Sequence, residues 1–303
     1  MSLPTLFVVG AMKAGTTSLH HYLAQHPEFY VPRYEEPSWF SFAGQRPNMT
    51  GPNGLRPSVN DSAVTDRSAY ETLYLAAHRD QTLVDVSPTY MYVPAASERI
   101  ARLVPNARAV VVLRHPVDRA YSSFMHAIRE EREPIPDFAS ALAAEPDRIA
   151  ANCGFLWRYL DMGRYFRQIV RLRERLGPEQ LLVLLTEDLA DNPQAACSRI
   201  VDFAGRDASF SFDVSVRHNV SGIPKSQWVH QVLQTGSLQR SVARPLATLL
   251  GRDRLRDLQS RLKARNMRRQ PLDPNLRMQL TRQFRSEIRA LSALIKRDLS
   301  HWL

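Results

Sequence analysis

Cysteine is scarce in this chain, and the scarcity excludes two common scaffolds. Only Cys153 and Cys197 occur among 303 residues, with no CxxC pair and no histidine cluster beside either of them. A disulfide framework needs several paired cysteines, and a structural zinc site needs four closely spaced ligands, so neither is indicated. We expect a protein that folds in a reducing compartment.

Long apolar stretches are also missing. The start MSLPTLFVVGAMKAG has no basic leader region, and its apolar run LFVV is far shorter than the roughly 20 residues that a membrane-spanning helix needs. No internal repeat or low-complexity tract is visible. These features predict a soluble, unexported, cytoplasmic protein, and the Ala- and Arg-rich composition favours a bacterial source.

Acidic residues are outnumbered by basic ones, 30 against 40, which gives a net charge of +10. This charge predicts attraction to a polyanion such as a nucleic acid, an anionic membrane, an acidic glycan or a phosphorylated small molecule. Residues 236–270 carry ten Lys or Arg against two Asp. They form either solvated helix faces or a docking surface for an acidic partner or a membrane. Few aromatic residues interleave with these charges, which argues against a platform for single-stranded nucleic acid, and we expect no nucleic-acid partner.

Four short apolar runs predict buried strands. They are Thr5 to Val9, Thr82 to Val86, Ala109 to Leu113 and Leu181 to Leu185. Amphipathic stretches follow the first and third runs, so strands alternate with helices. This alternation predicts a single α/β domain over residues 1–303, of the P-loop-type three-layer class, with a central, mainly parallel sheet flanked by helices.

Two further segments have their own patterns. Residues 41–66 are rich in Gly, Pro, Asn and Ser, which predicts a long loop that is either a variable surface excursion or a cover over the substrate. Helical patterns dominate after about residue 225. In the tail, apolar residues from Leu280 to Ile295 recur at helical spacing and Trp302 follows, so we expect the tail to pack on the sheet.

The segment GAMKAGTTS, Gly10 to Ser18, has the glycine spacing of a phosphate-binding loop but not its lysine position. In the P-loop pattern GxxxxGK[ST] the lysine follows the second glycine, whereas here Thr16 follows Gly15 and the lysine stands inside the loop at Lys13. Backbone N–H groups of such a turn, with the positive end of the next helix, still form an anion site. The loop therefore predicts a phosphate-sized site.

The end of the third strand argues against a nucleotide triphosphatase. Such an enzyme holds magnesium with the loop hydroxyl and an Asp that ends a second strand, but Arg114 stands in that place. Asp85 is one alternative metal ligand and makes a weak case alone. Arg114 and Ser122 suit a second anion better, because a guanidinium fork and a hydroxyl match a phosphate. A surface salt bridge is the competing interpretation of Arg114.

At these residues the sequence resembles the sulfotransferases that use 3′-phosphoadenosine 5′-phosphosulfate (PAPS). VVGAMKAGTTSL is similar to their loop for the 5′-phosphosulfate, and VVVLRHPVDRAYSSF to their strand and helix for the 3′-phosphate. LLVLLTEDLADNP and the final LSHWL resemble later landmarks of the family. The resemblance implies PAPS as sulfuryl donor, 3′-phosphoadenosine 5′-phosphate (PAP) as product, and no required metal.

The resemblance also implies a role for individual residues. Lys13 would contact the bridging and sulfuryl oxygens, and Arg114 with Ser122 would hold the 3′-phosphate. Lys225, in NVSGIPKSQW, lies where the family has a late loop that closes over the cofactor. The residues that would cradle the 5′-phosphate are Ala14, Gly15, Thr16, Thr17 and Ser18.

The stretch YEEPSWFSF resembles a segment of the carbohydrate and heparan-sulfate branch, in which a Glu precedes an aromatic pair. Glu36 aligns with that Glu and would act as general base toward an acceptor hydroxyl; Glu35 is its rival. Where that branch often has His and Lys, this chain has Ser38 and Val86. We therefore expect acceptor recognition to differ from that of the glycosaminoglycan enzymes.

Histidine serves as the base in the cytosolic branch, but no histidine here has a matching context. We expect His20, His21 and His115 to be structural or surface residues. His126 is the exception, one helical turn beyond Ser122.

The resulting hypothesis is in-line transfer of the sulfuryl group to a hydroxyl of a carbohydrate, a glycolipid or a hydroxylated natural product. Two alternatives remain. One is a P-loop kinase or NTPase, which needs magnesium and ATP. The other is a polyanion-binding protein with a vestigial cofactor site, based on the basic segment 236–270 and expected to bind in a strongly salt-dependent way.

Overall fold

Five buried strands form one parallel sheet in the computed structural model, which describes residues 3–215, 223–224, 267–268 and 271–303. The order across the sheet is β2-β3-β1-β4-β5, and every pairing is parallel. The central strands are runs of Val, Leu and Phe that are buried on both faces, as is typical of a parallel sheet covered on two sides. The strands are β1 (Leu6–Gly10), β2 (Phe29–Tyr30), β3 (Thr82–Val86), β4 (Arg108–Leu113) and β5 (Leu181–Leu185).

Twelve α-helices lie within the described residues and flank this sheet. They are α1 (Thr16–Leu23), α2 (Trp39–Phe42), α3 (Val59–Ser62), α4 (Arg67–Thr72), α5 (Pro94–Leu103), α6 (Pro116–Arg129), α7 (Phe138–Ala143), α8 (Glu145–Ala150), α9 (Tyr165–Leu176), α10 (Thr186–Asp191), α11 (Pro193–Phe203) and α12 (Pro274–Ile295). Short 3₁₀ helices are Pro52–Gly54, Phe155–Trp157, Asp161–Gly163, Pro178–Gln180 and Ser300–Trp302. A small antiparallel pair joins β6 (Ile223–Pro224) to β7 (Met267–Arg268).

The predicted α/β fold with a parallel sheet is confirmed. The four predicted strands are present, the first and third with bounds shifted by one residue. Strand β2 was not predicted, because two residues are too short to give an alternating or apolar pattern. It pairs with the start of β3 through Phe29 and Tyr30.

The order of the strands creates a crevice at one edge of the sheet. From β1 the chain moves to β2 and β3 on one side, and then crosses to β4 on the other side of β1. At such a switch point the loops after two neighbouring strands run in opposite directions, which opens a binding crevice beyond their carboxyl ends. The loop after β1 and Arg114 after β4 therefore lie at the same crevice.

The prediction that residues 41–66 form a plain loop is wrong in part. This stretch contains the end of α2, a 3₁₀ turn and α3. Thr50 forms an isolated parallel bridge with Cys153, and the buried Asn60 side chain hydrogen-bonds both the N–H and the C=O of Met49. This segment is ordered by contacts with residues that are distant in the sequence. No local sequence pattern predicts these contacts.

The tail packs chiefly on helices, whereas packing on the sheet was predicted. Helix α12 packs against α9 and α6, and Phe284 and Ile288 join the same core as the sheet. Trp302 is buried. Both cysteines are buried free thiols. In the part of the chain that the structure describes, no helix has the length and apolar character to cross a membrane.

Candidate active site

The loop after β1 bends through backbone conformations that few residues adopt. Gly15 has φ 104° and caps the amino end of α1, where the missing Cβ allows the left-handed turn. Lys13 has φ 68°, which is uncommon for a residue other than glycine. This bend places the lysine in the middle of the loop and directs the amino end of α1, which carries the positive end of the helix dipole, at the same space.

A cleft of about 650 Å³ lies beyond the carboxyl ends of β1 and β4. All predicted site residues that the structure describes line this one cleft. Lys225 lies outside the described residues. The lining includes Lys13, Ala14, Gly15, Thr16, Thr17, Ser18, Glu36, Arg114 and Ser122.

Lys13 and Glu36 both line the cleft, and the charge of each shifts the pKa of the other. Burial, followed by the charge of Arg129, lowers the pKa of Lys13 to about 8, while Glu36 acts in the opposite direction. Burial and then the charge of Glu35 raise the pKa of Glu36 to about 7, against the pull of Lys13. Both side chains keep partial exposure to the cleft. A carboxylate and an ammonium group are thus both poised to exchange protons near neutral pH.

Glu35, the rival of Glu36, points elsewhere. It is exposed and forms an ion pair of 3.7 Å with His21. Ser38, at the position where the heparan branch often has His, is buried and accepts a hydrogen bond from Thr89. Among the two glutamates, only Glu36 lines the cleft.

The Arg114 end of the cleft is anchored on several sides. The Arg114 guanidinium donates to the carbonyl of Lys13 at 3.1 Å, and its own carbonyl accepts from the buried Tyr165 hydroxyl at 3.0 Å. Thr186 donates from its hydroxyl to the carbonyl of Leu113 at 3.0 Å. Ser122 is buried beside them on α6. These contacts fix a cationic fork and a hydroxyl in one place.

The structure adds cationic residues that the sequence did not single out. Arg129 and Arg132 line the cleft, together with His126, the one histidine that the sequence analysis separates from the structural and surface histidines. Ser122, His126 and Arg129 recur at spacings of four and three, so one face of α6 presents them together. This spacing was a usable signal. Arg132 lies beyond the helix end, and only the fold brings it there.

His126 is a neutral residue of this surface. Burial, and then the charges of Lys13 and Arg129, lower its pKa to about 3. The Arg129 guanidinium donates to its Nδ1. His126 therefore lacks the basicity expected of a general base at neutral pH.

Asp85, the alternative metal ligand, has a different environment. It is fully buried at the end of β3 and accepts hydrogen bonds from the hydroxyls of Tyr70, Ser87 and Tyr90 at 2.6, 2.7 and 2.7 Å. Within the described residues, no group of three or more His, Cys, Asp or Glu is placed to hold a metal ion. Asp85 is a structural carboxylate whose oxygens are already engaged.

Comparison with known proteins assigns the family. The sulfotransferase family model matches residues 4–209, which is more than half of the chain, so the chain belongs to the sulfotransferase family. The crystal structure of a sulfotransferase from Alicyclobacillus acidocaldarius superposes with a TM-score of 0.77 at 29% identity, covering 100% of this chain and 99% of that one. The resemblance to sulfotransferases, which the sequence analysis based on two anion-site motifs, is thereby confirmed for the family.

Curated relatives of this chain are larger proteins. It is 25% identical over 226 residues to bifunctional heparan sulfate N-deacetylase/N-sulfotransferase 1 of Caenorhabditis elegans, covering 73% of this chain and 24% of that protein. It is 24% identical over 203 residues to human heparan sulfate glucosamine 3-O-sulfotransferase 3B1, covering 67% and 46%. The chain therefore spans between about a quarter and a half of the length of these relatives.

Proposed function

We propose that this protein transfers the sulfuryl group of PAPS to an acceptor hydroxyl. The observation that carries the proposal is that Lys13 and Glu36 line the same cleft as Arg114 and Ser122. The shifted pKa values of Lys13 and Glu36 agree with it. Family membership supports the reaction class. A cleft with one anion site at each end suits a donor that carries two separate anionic groups.

The residues of the cleft fit the two ends of PAPS. The amides from Gly15 to Ser18 and the start of α1 bind the 5′-phosphate, and Lys13 lies over the sulfuryl group. Arg114 and Ser122 bind the 3′-phosphate with a fork and a hydroxyl. The sulfuryl group carries less charge than a terminal phosphoryl group, so we propose that lysine replaces the magnesium of a kinase.

Glu36 acts as general base in this proposal. The acceptor oxygen attacks sulfur in line, its proton passes to the Glu36 carboxylate, and the bond between sulfur and the bridging oxygen breaks to release PAP. Lys13 and the loop amides stabilise the negative charge that grows on the leaving phosphate. A pKa near 7 suits Glu36, because general acid–base catalysis is most efficient when the pKa lies close to the working pH.

The acceptor that this cleft favours is an anionic carbohydrate. A side pocket of about 90 Å³ opens beside Glu36 and is lined by Ser58, Val59, Arg132 and Trp157 among others. Arg132 lines both spaces, and Arg129 is close enough to Lys13 to lower its pKa. Arg129 is already paired with Glu130 at 3.0 Å, so Arg132 is the cation beyond those assigned to PAPS that supports an acidic acceptor. The curated relatives act on heparan sulfate. Ser58 and Val59 support a substrate-covering role for residues 41–66.

A transfer assay tests the function. Purified protein is incubated with PAPS, EDTA and either acidic or neutral oligosaccharides, and PAP release is measured. We expect turnover with acidic acceptors, and a loss of about 100- to 10,000-fold in kcat for Glu36→Gln, the usual range for a general base. PAP affinity should stay unchanged in that variant.

Two outcomes would contradict the proposal. Transfer from ATP with magnesium but not from PAPS would favour the kinase alternative. Full turnover by Glu36→Gln would exclude it as the base. The polyanion-binding alternative rests on residues 236–270, of which the structure describes only the backbone of β7, and it stays a prediction.

A further inference from the structure

The segment that carries Glu36 has an unusual backbone. Glu36 has φ 53° and Ser38 has φ 55°, so two residues other than glycine occupy the left-handed region on either side of Pro37. Such conformations are unfavourable for residues other than glycine and persist only where surrounding contacts determine them. The contacts that hold this segment therefore decide where the Glu36 carboxylate lies.

Two hydroxyl bridges connect the buried Asp85 to this segment. The Ser87 hydroxyl donates to Asp85 Oδ1 at 2.7 Å, and its oxygen accepts from the N–H of Ser38 at 3.0 Å. The Tyr90 hydroxyl donates to Asp85 Oδ2 at 2.7 Å, and its oxygen accepts from the N–H of Phe40 at 3.3 Å. One carboxylate thus holds two backbone amides, on either side of Trp39.

The same network is tied to β1, the strand that leads into the Lys13 loop. The N–H of Ser87 donates to the carbonyl of Val8 in β1 at 3.0 Å, and the N–H of Met91 donates to Val9 at 2.8 Å. Ser87 therefore touches both the base of the Lys13 loop and the Glu36 segment. A side chain at this junction fixes the position of the carboxylate relative to the lysine.

We propose that Asp85 and Ser87 are positioning residues for Glu36, which hold the carboxylate in line with the sulfuryl group although neither residue lines the cleft. The proposal rests on the proposed role of Glu36 as base. Hydrogen bonds to a carboxylate are about twice as strong as neutral ones, and the acceptor strength of the Ser87 oxygen increases when its own proton is donated to Asp85. Loss of the Ser87 bridge frees the Ser38 amide and allows Glu36 to move.

Ser87→Ala tests the proposal, with Ser97→Ala as its matched control. Ser97 is equally buried, but its hydroxyl donates only within α5, to Pro94 at 2.9 Å. Because a misplacement of about 1 Å can cost 100-fold in rate, we expect kcat of Ser87→Ala to fall roughly 10- to 100-fold. PAP affinity should stay within about twofold of wild type, and Ser97→Ala should retain kcat. Ser87→Thr keeps the hydroxyl and should retain most of the wild-type kcat.

The double variant Glu36→Gln/Ser87→Ala separates a positioning role from a general loss of structure. If Ser87 acts through Glu36, its substitution adds little to the loss already caused by Glu36→Gln. An equal loss in both backgrounds, or a wild-type kcat in Ser87→Ala, overturns the proposal. Tyr90→Phe removes the weaker bridge with almost no change in volume and should lower kcat less than Ser87→Ala does. It replaces Ser87→Ala as the test if that variant does not fold.

Hydrogen exchange keeps this test independent of the reaction. We expect the Ser38 amide to be protected in the wild type and in Ser97→Ala, but to exchange at least tenfold faster in Ser87→Ala. This result would stand even if Glu36 were shown not to be the base, in which case only the proposed function fails. Unchanged exchange in Ser87→Ala would overturn the positioning itself.

Discussion

The two ends of the cleft are built in opposite ways. At the β1 end, Lys13 and Glu36 lie close enough to shift each other's pKa, and both titrate near neutral pH. At the β4 end, Arg114 is held by direct contacts to the Lys13 carbonyl and the Tyr165 hydroxyl. The first end is suited to chemistry, where a proton must move. The second is suited to binding, where a charge must stay in place.

The anchoring of the β4 end extends to the tail of the chain. His115 Nε2 lies 2.9 Å from the carbonyl of Trp302, and the Trp302 indole donates to Glu187 at 2.8 Å. Arg297 pairs with Asp188 in the same helix, α10. The residue next to Arg114 is therefore fixed by an element almost 190 positions away in sequence. We therefore expect the binding geometry at this end to depend on the docking of the tail.

The largest effect that this comparison predicts is on turnover at the β1 end. Lys13→Ala removes the cation that we propose stabilises the leaving group, and loss of such a donor costs about 100- to 1000-fold in kcat. PAP has no sulfuryl group, so its affinity should change far less than kcat. Steady-state assays and calorimetric titration with PAP measure the two quantities. Normal turnover from PAPS in this variant would end the assignment of Lys13.

The next effect is on binding at the β4 end. Arg114→Lys keeps the charge but loses the planar fork, and hydrogen bonds to charged groups contribute about 1.5–3 kcal/mol, so PAP should bind roughly 10- to 150-fold more weakly. At saturating PAPS, kcat should change only a few-fold. Arg108→Lys, at the exposed opposite end of β4, is the control and should bind PAP normally. If Arg114→Lys lowered kcat more than affinity, the division between the two ends would be wrong.

The parts of this site that the sequence predicted are those encoded in short, continuous patterns. Apolar runs gave the central strands, and the spacing from Gly10 to Ser18 gave the loop. Arg114 was predictable because it directly follows a buried strand. In each case the backbone alone places the residue, since strands in a parallel sheet end at one edge.

The rest depends on distant contacts. Arg132 reaches the cleft because residues after α6 fold back, and the order in residues 41–66 comes from partners such as Cys153. Asp85 ends an apolar run in the manner of a metal ligand, but in the folded protein its carboxylate accepts hydrogen bonds from the hydroxyls of Tyr70 and Tyr90. The pKa values of Lys13 and Glu36 are likewise properties of the assembled cleft.

The smallest predicted effect is a pH dependence that belongs to the β1 end alone. In its proposed role as base, Glu36 must be ionised to accept a proton, and its raised pKa of about 7 should make kcat/KM fall below pH 7. At pH 6 roughly a tenth of Glu36 is ionised, so the rate should drop about tenfold. Lys13 must be protonated, and its lowered pKa of about 8 makes kcat/KM fall above pH 8. The two groups interact, so both limbs describe the pair.

Bound PAPS is negative and raises both pKa values, so the profile of kcat should lie at higher pH than that of kcat/KM. Glu36→Gln should remove the acidic limb, whereas Arg114→Lys should keep both limbs at lower overall rates. A flat profile of kcat/KM between pH 6 and 9 would contradict the assignment of both groups and, with it, the distinction between the two ends.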